Sequence, residues 1–555
     1  MEILDWFVLV FSVGFIVFYG IWKNIKTKDL QEYFKGNNKI RWWTIGISVM
    51  ATQASAITFL STPGQAYSDG MGFIQFYFGL PFAIIIISIF FLPIYHKLKV
   101  FTAYEFLEKR FNKKTRNLAS FLFLVQRGLA AGITIYAPAI IMSLILKWPL
   151  YLLIIIIGFL VTFYTLIGGT RAVNVTQKQQ MFVIFIGLFI TIYYIFKGIP
   201  QEFSFKQVLE IAGASGKLDI LSFDFDLKSR YTFWSGITGG LFLALSYFGT
   251  DQSQVQRYIS GKNLKESQRG LFFNAILKVP MQFFILFIGV SVFIFYQFNM
   301  SPINFNTAAI EKVRNSKFNV EFEILEQKHK EIQEEKFFLM KKFSESKGLQ
   351  EIKKLQESES LIRNNAKSLI SKVSPSSEVN DKDYVFINFI VNNLPSGIIG
   401  LLISMILCAA MSSTASELNA LAACSYLDIY KNNFKVKSTY SDLQISKFIT
   451  LIWGLVAIIF ALTASLAENL IQLVNIIGSI FYGTILGIFL AGFFFKKIKA
   501  QSIFNSALIT QLTIFIIFYL DVVGYLWLNF IGSFLTVLLA YILQKVTKEL
   551  YPEGN

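Results

Sequence analysis

Long apolar runs with almost no charged side chains recur along nearly the whole chain. Examples are residues 81–94, 150–167, 181–199 and 508–520. With its flanks, each run reaches or approaches the roughly 20 residues that a helix needs to cross a lipid bilayer. Only 15% of the 555 residues are charged, whereas about 25% is usual in a soluble protein. The sequence therefore predicts an all-α, polytopic membrane protein and excludes a soluble enzyme, a secreted disulfide scaffold and a disordered chain.

Hydropathy predicts about 13 membrane-spanning helices. Their expected positions are 3–22, 42–66, 71–95, 117–146, 149–168, 178–198, 231–253, 270–298, 386–428, 447–464, 469–495, 503–521 and 524–544. Acidic residues precede the first span and lysines follow it. A cleaved signal peptide carries its positive charge in front of the apolar segment, so this segment is expected to be a retained first span. Lysine and arginine concentrate in alternate loops, so the positive-inside rule predicts a cell-membrane protein with its N-terminus outside and its C-terminus inside. Because the charges are scattered over many short loops, nucleic-acid binding is not expected.

Residues 301–385 differ in kind and separate the predicted membrane regions 1–300 and 386–555. They are rich in both signs of charge and in helix-forming residues. Apolar residues recur at helical spacing: Phe318, Leu325, Ile332 and Leu339, then Ile352, Leu355, Ile362, Leu369 and Val373. This spacing predicts a charged helical hairpin with one apolar seam, outside the membrane and extracytoplasmic. A solvated spacer and a protein-binding arm both fit the pattern.

Few residue types for metal or redox chemistry are available. Cys408 and Cys424 lie in one apolar segment, and His96 and His329 are the two histidines. This set does not support a disulfide framework, a transition-metal site or a catalytic constellation. The sequence therefore predicts a protein without enzyme activity or cofactor.

Two segments place polar residues in the middle of predicted spans. Residues 48–64 carry several Ser, Thr and Gln side chains and end in Pro63–Gly64, which weakens a helix. On a second segment Ala409, Ser412, Ser413, Ser416 and Glu417 lie on or beside one helix face. Small-residue stripes also allow close helix packing. Together, carbonyls from an interrupted helix and hydroxyls from a facing helix would suit a small, hard cation.

At these residues the chain resembles the sodium/solute symporter family, which includes carriers of glucose, sialic acid and monocarboxylates. The matching stretches include ATQASAITFLSTPGQAY (51–67), TLIGGTRAV (165–173), DQSQVQRY (251–258), AAMSSTASELNAL (409–421) and GSIFYGTILGIFLAGFFF (478–495). The resemblance implies a LeuT-type fold of two inverted five-helix repeats, here about 42–198 and 231–495, with sites at interrupted helices near the bilayer centre.

The resemblance also implies a sodium site. Its ligands would be the carbonyl oxygens of Ala51 and Ala54 and the small-x-x-Ser-Ser motif of Ala409, Ser412 and Ser413. Sodium is therefore expected as the coupling ion, and no other metal is expected.

The substrate-binding residues implied by the resemblance are Ser55, Thr58, Phe73, Tyr77, Arg127, Tyr247 and Lys278. Lys278 occupies the position of a substrate-contacting lysine in sugar carriers, although a lysine there could also extend towards the membrane surface. Arg127 lies about one turn from the position of a carboxylate-binding arginine in sialic acid carriers. Two roles for Arg127 stay open: binding a substrate carboxylate, or a structural ion pair with Glu417.

The chain departs from the family at the second sodium site. Gln177 stands where such members carry an aspartate, and the second-site serine pair is Ala415 and Ser416. A second sodium ion of the usual kind is therefore not expected. We hypothesise that Glu417 replaces the missing carboxylate or makes transport sensitive to protons.

The sequence thus predicts a sodium-coupled symporter that imports a small organic solute, with Arg127 favouring an organic anion. Symport of a neutral sugar or amino acid, and a sensor of this fold without net transport, are the alternatives.

Overall fold

The computed structural model describes residues 1–24, 33–34, 40–341, 346–373, 379–434, 441–463 and 469–550; the side chains of residues 17, 20–24, 168–176, 341, 346–350 and 547–550 lie outside this description. Within these ranges the chain is helical, and the one β-type contact is an isolated bridge between Ile40 and Gly261. The predicted all-α fold is therefore confirmed.

The first half of the chain begins with α1 and then forms the helices around the cavity described below. They are α1 Ile3–Asn24, α2 Trp42–Gln53, α3 Ala56–Asp69, a 3₁₀ helix Gly70–Tyr77, α4 Leu80–Ile86, a π segment Ile87–Phe91, α5 Leu92–Leu98, α6 Glu105–Arg110, α7 Lys113–Leu146, α8 Leu150–Lys197, α9 Phe205–Ala214, α10 Phe233–Ser235, a π segment Gly236–Gly240, α11 Leu241–Gly249, α12 Gln252–Ile259 and α13 Leu264–Phe298.

The second half contains the insert, the helix with the hydroxyl stripe and the last spans. Its elements are α14 Thr307–Arg314, α15 Asn319–Lys341, α16 Ser346–Val373, α17 Lys382–Asn393, α18 Ile398–Cys424, a π segment Ser425–Tyr430, α19 Lys431–Asn433, α20 Asp442–Thr463, α21 Leu470–Phe494, α22 Ala500–Tyr519 and α23 Tyr525–Leu550.

Ten helical stretches in the described residues are long and apolar enough to cross a bilayer. The predicted spans 42–66 and 231–253 are helical but interrupted, and the predicted spans 149–168 and 178–198 lie in the single element α8. The chain is therefore polytopic as predicted, and several predicted boundaries move because hydropathy does not detect where a helix breaks or continues.

Two interrupted helices face the centre of the molecule. The first breaks between α2 and α3, where Ala54 has a ψ of 65° and Ser55 is extended. The second breaks between α11 and α12, where Asp251 is extended and its Oδ1 accepts a hydrogen bond from Ser253 N at 2.9 Å. Each break lies in the first helix of one of the two expected repeats, which is where a LeuT-type fold has its ligand sites.

The predicted span 386–428 is wrong as a single helix. It consists of α17 and α18, separated by a segment in which Gly397 has a positive φ of 86°. Asp5 of α1 stabilises this turn because its Oδ1 accepts hydrogen bonds from Gly397 N at 2.6 Å and Gly400 N at 3.1 Å. A carboxylate at a helix N-terminus satisfies backbone donors that the helix leaves free. The contact fixes α1 against the start of α18.

The insert is helical, as expected, and α15 packs against α16. A buried ion network centres on Glu359, which receives hydrogen bonds from His329 Nε2 at 3.1 Å and from Lys336 Nζ. Lys336 Nζ also donates to Gln297 Oε1 of α13 at 2.9 Å. The network therefore ties the insert to a membrane helix. Its role as a spacer or a protein-binding arm stays a prediction.

We expect Glu359→Gln to loosen the insert. Although burial alone raises the pKa of Glu359, the hydrogen bond from His329 and the charges of Lys336 and Arg363 hold that pKa well below its usual range. Removing one partner of a buried ion pair costs about 3–5 kcal/mol. Hydrogen–deuterium exchange of residues 319–373 at neutral pH should therefore be faster in the variant.

The same lowered pKa fixes the pH dependence of the unsubstituted insert. Stabilisation by the Glu359 carboxylate is complete above the ordinary glutamate pKa of about 4.3 and is lost as the pH falls towards the lowered value. Exchange should thus accelerate only in acid. The matched control is Glu326→Gln, since Glu326 pairs with Arg314 at 2.9 Å near the surface. Equal exchange in both variants would contradict the anchoring role of Glu359.

Candidate functional site

A cavity lies beside the first helix break and encloses about 870 Å³ when its opening to solvent is included. Its walls come from α2, α3, the 3₁₀ helix Gly70–Tyr77, α4, α7, the π segment Gly236–Gly240, α11, α13, α18 and α21. Six of the seven predicted substrate residues line it: Ser55, Thr58, Tyr77, Arg127, Tyr247 and Lys278.

Phe73 is the predicted substrate residue that does not line this cavity. Its ring is buried and packs against Phe76 at 5.4 Å between centroids and against Tyr231 at 5.0 Å. Phe76 lines the cavity instead. The side chains near residue 73 follow the 3₁₀ helix Gly70–Tyr77, so a face assignment based on α-helical spacing selects the wrong phenylalanine.

The first helix break frees backbone oxygens. In an unbroken helix the carbonyl of Ala54 would accept from Thr58 N, but Thr58 N donates to Ser55 O at 3.0 Å. The side chain of Thr58 reaches back to Gln53 O at 3.0 Å. Ala51 and Ala54 are both buried. Buried carbonyl groups without a helical donor need another partner, and a cation is one such partner.

The hydroxyl stripe lies on α18, which packs against both α2 and α3. Ser413 Oγ donates to Ala409 O and Ala410 O, each at 3.1 Å. Ser412 Oγ is buried and has no hydrogen-bond partner among the described residues. A buried hydroxyl without a partner costs free energy. A sodium ion therefore suits this set of oxygen ligands, which comes from Ala51, Ala54, Ala409, Ser412 and Ser413. Of the two serines, Ser412 has the hydroxyl that is not already hydrogen-bonded to a described residue.

Arg127 on α7 is the centre of a buried ion network. Its Nη1 donates to Glu417 Oε1 at 3.0 Å. Its Nη2 donates to Asp251 Oδ2 and to Tyr482 Oη, the latter at 2.6 Å. Tyr482 Oη in turn donates to Asp251 Oδ2 at 2.9 Å. The predicted pair with Glu417 is present in the structure, and a second carboxylate joins it.

Glu417 is held from two sides. Thr134 Oγ1 donates to Glu417 Oε2 at 2.9 Å, and Thr414 Oγ1 donates to Thr134 Oγ1 at 3.0 Å. The carboxylate therefore bridges α7 and α18 while it borders the cavity. With one guanidinium and two carboxylates, the network has a formal charge of −1 when all its groups are ionised.

The residues considered for a second ion form hydrogen bonds with other groups of the protein. Gln177 Oε1 accepts from Ser48 Oγ at 2.6 Å, and Gln177 Nε2 donates to Thr52 Oγ1 at 3.3 Å, which connects α8 to α2. Ser416 Oγ donates to Ser412 O at 2.8 Å. The hydrogen bonds of Glu417 go to Arg127 and Thr134. These contacts do not bring Gln177, Ser416 and Glu417 together into one site.

Sequence reasoning did not select Asp251 or Tyr482 as site residues. Both lie in stretches that carry the family resemblance, and Asp251 is an acidic residue inside a predicted span. Since an ionisable residue at membrane depth is a functional candidate by default, that rule would have found Asp251. No sequence signal indicates that Tyr482 bonds to the same arginine.

Comparisons with known proteins agree on the family. The model of the sodium:solute symporter family matches residues 33–321 and 369–510. The bovine (Bos taurus) sodium-coupled monocarboxylate transporter 2 is 27% identical over 490 residues, which cover 88% of this chain and 67% of the relative. The human protein of that name is 34% identical over 265 residues, which are 48% of this chain and 42% of the relative.

One further relative and one solved structure match this chain over nearly its full length. The sodium/sialic acid symporter NanT of Aliivibrio fischeri is 24% identical over 98% of this chain and 94% of its own. A solved structure of a Na⁺-coupled sialic acid symporter, substrate-bound and outward-open, superposes with a TM-score of 0.76 at 22% identity and covers 98% of both chains. This likeness shows the fold.

Proposed function

Since the chain belongs to the sodium:solute symporter family, we propose that it imports a small organic anion together with sodium by alternating access. The observation that carries this proposal is the interrupted helix beside the cavity. The helices on both sides of the break pack against α18, whose Ser412 hydroxyl has no hydrogen-bond partner among the described residues. Such an arrangement offers a sodium ion and a solute adjacent sites.

The sodium ion would couple the two interrupted parts of the site. It would be held by Ala51 and Ala54 at the break and by Ala409, Ser412 and Ser413 on α18. Ser55 and Thr58 follow the break directly and line the cavity. A cation that fixes the break therefore orders these two hydroxyls, which gives positive coupling between sodium and solute.

The gradient of sodium would supply the energy. Binding on the outer side, where sodium is abundant, favours the state that holds the solute, and release follows inside, where sodium is scarce. One sodium ion and one monovalent anion that move inward together carry no net charge, so the membrane potential adds nothing at this stoichiometry. A tenfold sodium gradient supplies about 1.4 kcal/mol, which is sufficient to accumulate the solute about tenfold.

An organic anion is supported by two independent considerations. The relatives named above carry monocarboxylates and sialic acid, both of which are carboxylic acids. The cavity of this chain is also lined by the cationic side chain of Lys278, which forms no ion pair with the described residues. A desolvated cation beside a cavity favours a negatively charged ligand.

Uptake into proteoliposomes tests the proposal. With a tenfold excess of sodium outside and potassium inside, the reconstituted protein should concentrate radiolabelled pyruvate or sialic acid about tenfold, since a tenfold sodium gradient supplies about 1.4 kcal/mol per ion. The control is the same vesicle with equal sodium on both sides, where accumulation should vanish. Uptake of glucose or proline in place of the acids would support the neutral-solute alternative, and binding without uptake would support a sensor.

A further inference from the structure

The two cations of the cavity differ in what surrounds them. Arg127 is committed to Asp251, Glu417 and Tyr482. Its guanidinium therefore already has two counter-charges. A substrate carboxylate approaching this wall would meet a network with a formal charge of −1 and would have to displace a buried glutamate or aspartate. Such a displacement leaves a buried charge unpaired, which is very costly.

Lys278 on α13 has no such partner. Its side chain is only 2% exposed, and it lines the same cavity. Among the described residues it forms no ion pair or hydrogen bond, and its Nζ lies 5.8 Å from the centre of the Tyr77 ring. A buried ammonium group without a counter-charge is unfavourable. Its position at the cavity means that a ligand can supply the missing charge.

The neighbours of Lys278 on the same helix face are also without partners. Asn274 lies one turn before it and Gln282 one turn after it, and both are fully buried. In each amide, neither the oxygen nor the nitrogen has a hydrogen-bond partner among the described residues. Native proteins leave few buried polar groups unsatisfied, and those that remain need a ligand or an ordered water. Polar side chains on three consecutive turns of α13 are thus still able to form hydrogen bonds with a ligand or water.

We infer that Lys278, and not Arg127, binds the carboxylate of the transported anion. In the loaded state the substrate carboxylate accepts a hydrogen bond from Lys278 Nζ and neutralises its charge. Arg127 is a positioning residue, which holds α7, α12, α18 and α21 together around the cavity through its two carboxylates and Tyr482. The inference rests on the proposed function and identifies the substrate class as carboxylates.

Lys278→Met tests the inference because methionine keeps the length of the side chain and removes the charge. The KM for pyruvate or sialic acid, whichever the unsubstituted protein transports, should rise by about 10- to 100-fold, since a charge-assisted contact is lost. Lys278→Arg should retain most of the affinity, because it keeps the positive charge. Lys265→Met, on the same helix but exposed, is the matched control and should leave KM unchanged.

A second measurement separates charge recognition from a folding defect. Pyruvamide and sialic acid amide lack the negative charge, so they should compete poorly with the acid in the unsubstituted protein and equally poorly in Lys278→Met. The thermal stabilisation of each variant by sodium alone reports whether the site is folded. Loss of that stabilisation in Lys278→Met would assign Lys278 a structural role and overturn the inference.

The two possible failures are distinguishable. A KM for the acid that is unchanged in Lys278→Met, with sodium-driven uptake intact, overturns the role of Lys278 and leaves the symporter proposal standing. Sodium-driven uptake of neutral solutes alone overturns the carboxylate assignment. Absence of any sodium-dependent uptake in the unsubstituted protein overturns the proposed function itself, and this inference with it.

Discussion

Replacing Ser412 and Ser413 together by alanine should raise the sodium concentration for half-maximal uptake by about 30-fold or more, because each lost oxygen ligand removes about 1 kcal/mol. The hydroxyl of Ser412 has no protein partner among the described residues, so its removal costs the fold little. The effect should therefore be far larger on sodium affinity than on protein abundance. Sodium titration of solute uptake in proteoliposomes measures it.

The effects of the two single substitutions should differ. Ser413 Oγ already donates to Ala409 O and Ala410 O, and as a donor it keeps its lone pairs for a cation. Ser412→Ala should weaken sodium binding without a change in thermal stability, whereas Ser413→Ala should lower both. Ser404→Ala is the control, since Ser404 lies on the same helix and its hydroxyl bonds to Leu401 O at 2.7 Å. An unchanged sodium dependence in the double variant would remove the proposed ion site.

The largest effect on stability is expected for Arg127→Met. The substitution leaves Asp251 and Glu417 buried beside each other without a counter-charge, and breaking a buried pair in this way costs about 3–5 kcal/mol. We expect a much lower melting temperature in detergent and a loss of transport. Arg127→Lys should recover part of the stability, because a single ammonium group can pair with one carboxylate but lacks the planar fork that contacts both.

A compensated variant identifies the reason for the loss. Arg127→Met combined with Asp251→Asn and Glu417→Gln removes the unpaired charges, so the melting temperature should recover. If Arg127 instead bound the substrate carboxylate directly, Arg127→Met would stay folded and show only a raised KM. That outcome would contradict both the positioning role of Arg127 and the assignment of Lys278.

The hydroxyl stripe and the helix break illustrate what local sequence signals can predict. Polar residues in mid-span and Pro63–Gly64 predict a weakened helix, but the chain breaks at Ala54–Ser55, before the proline. Only the family resemblance implied carbonyl ligands at Ala51 and Ala54. The stripe on α18 follows from helical spacing alone. Each of these signals comes from residues within one short segment of the chain, so it can be recognised without knowing the fold.

The insert shows what the spacing of apolar residues predicts and what it does not predict. Its seven-residue apolar spacing correctly indicates helices, and Phe318, Leu325, Ile362, Leu369 and Val373 join one apolar cluster. The spacing does not predict that a buried lysine and histidine converge on Glu359, because these charged residues do not stand out in a segment rich in both signs.

The sequence by itself determined that this chain is an all-helical membrane protein, that one polar span is a weakened helix, and which helix face carries hydroxyl groups. These properties depend on hydrophobicity and on spacing within one helix. Only the tertiary structure decided that Arg127 is neutralised and that Lys278 is not. The partners of Arg127 lie 124 and 290 residues away along the chain, and a charge balance of this kind is set by which helices pack together.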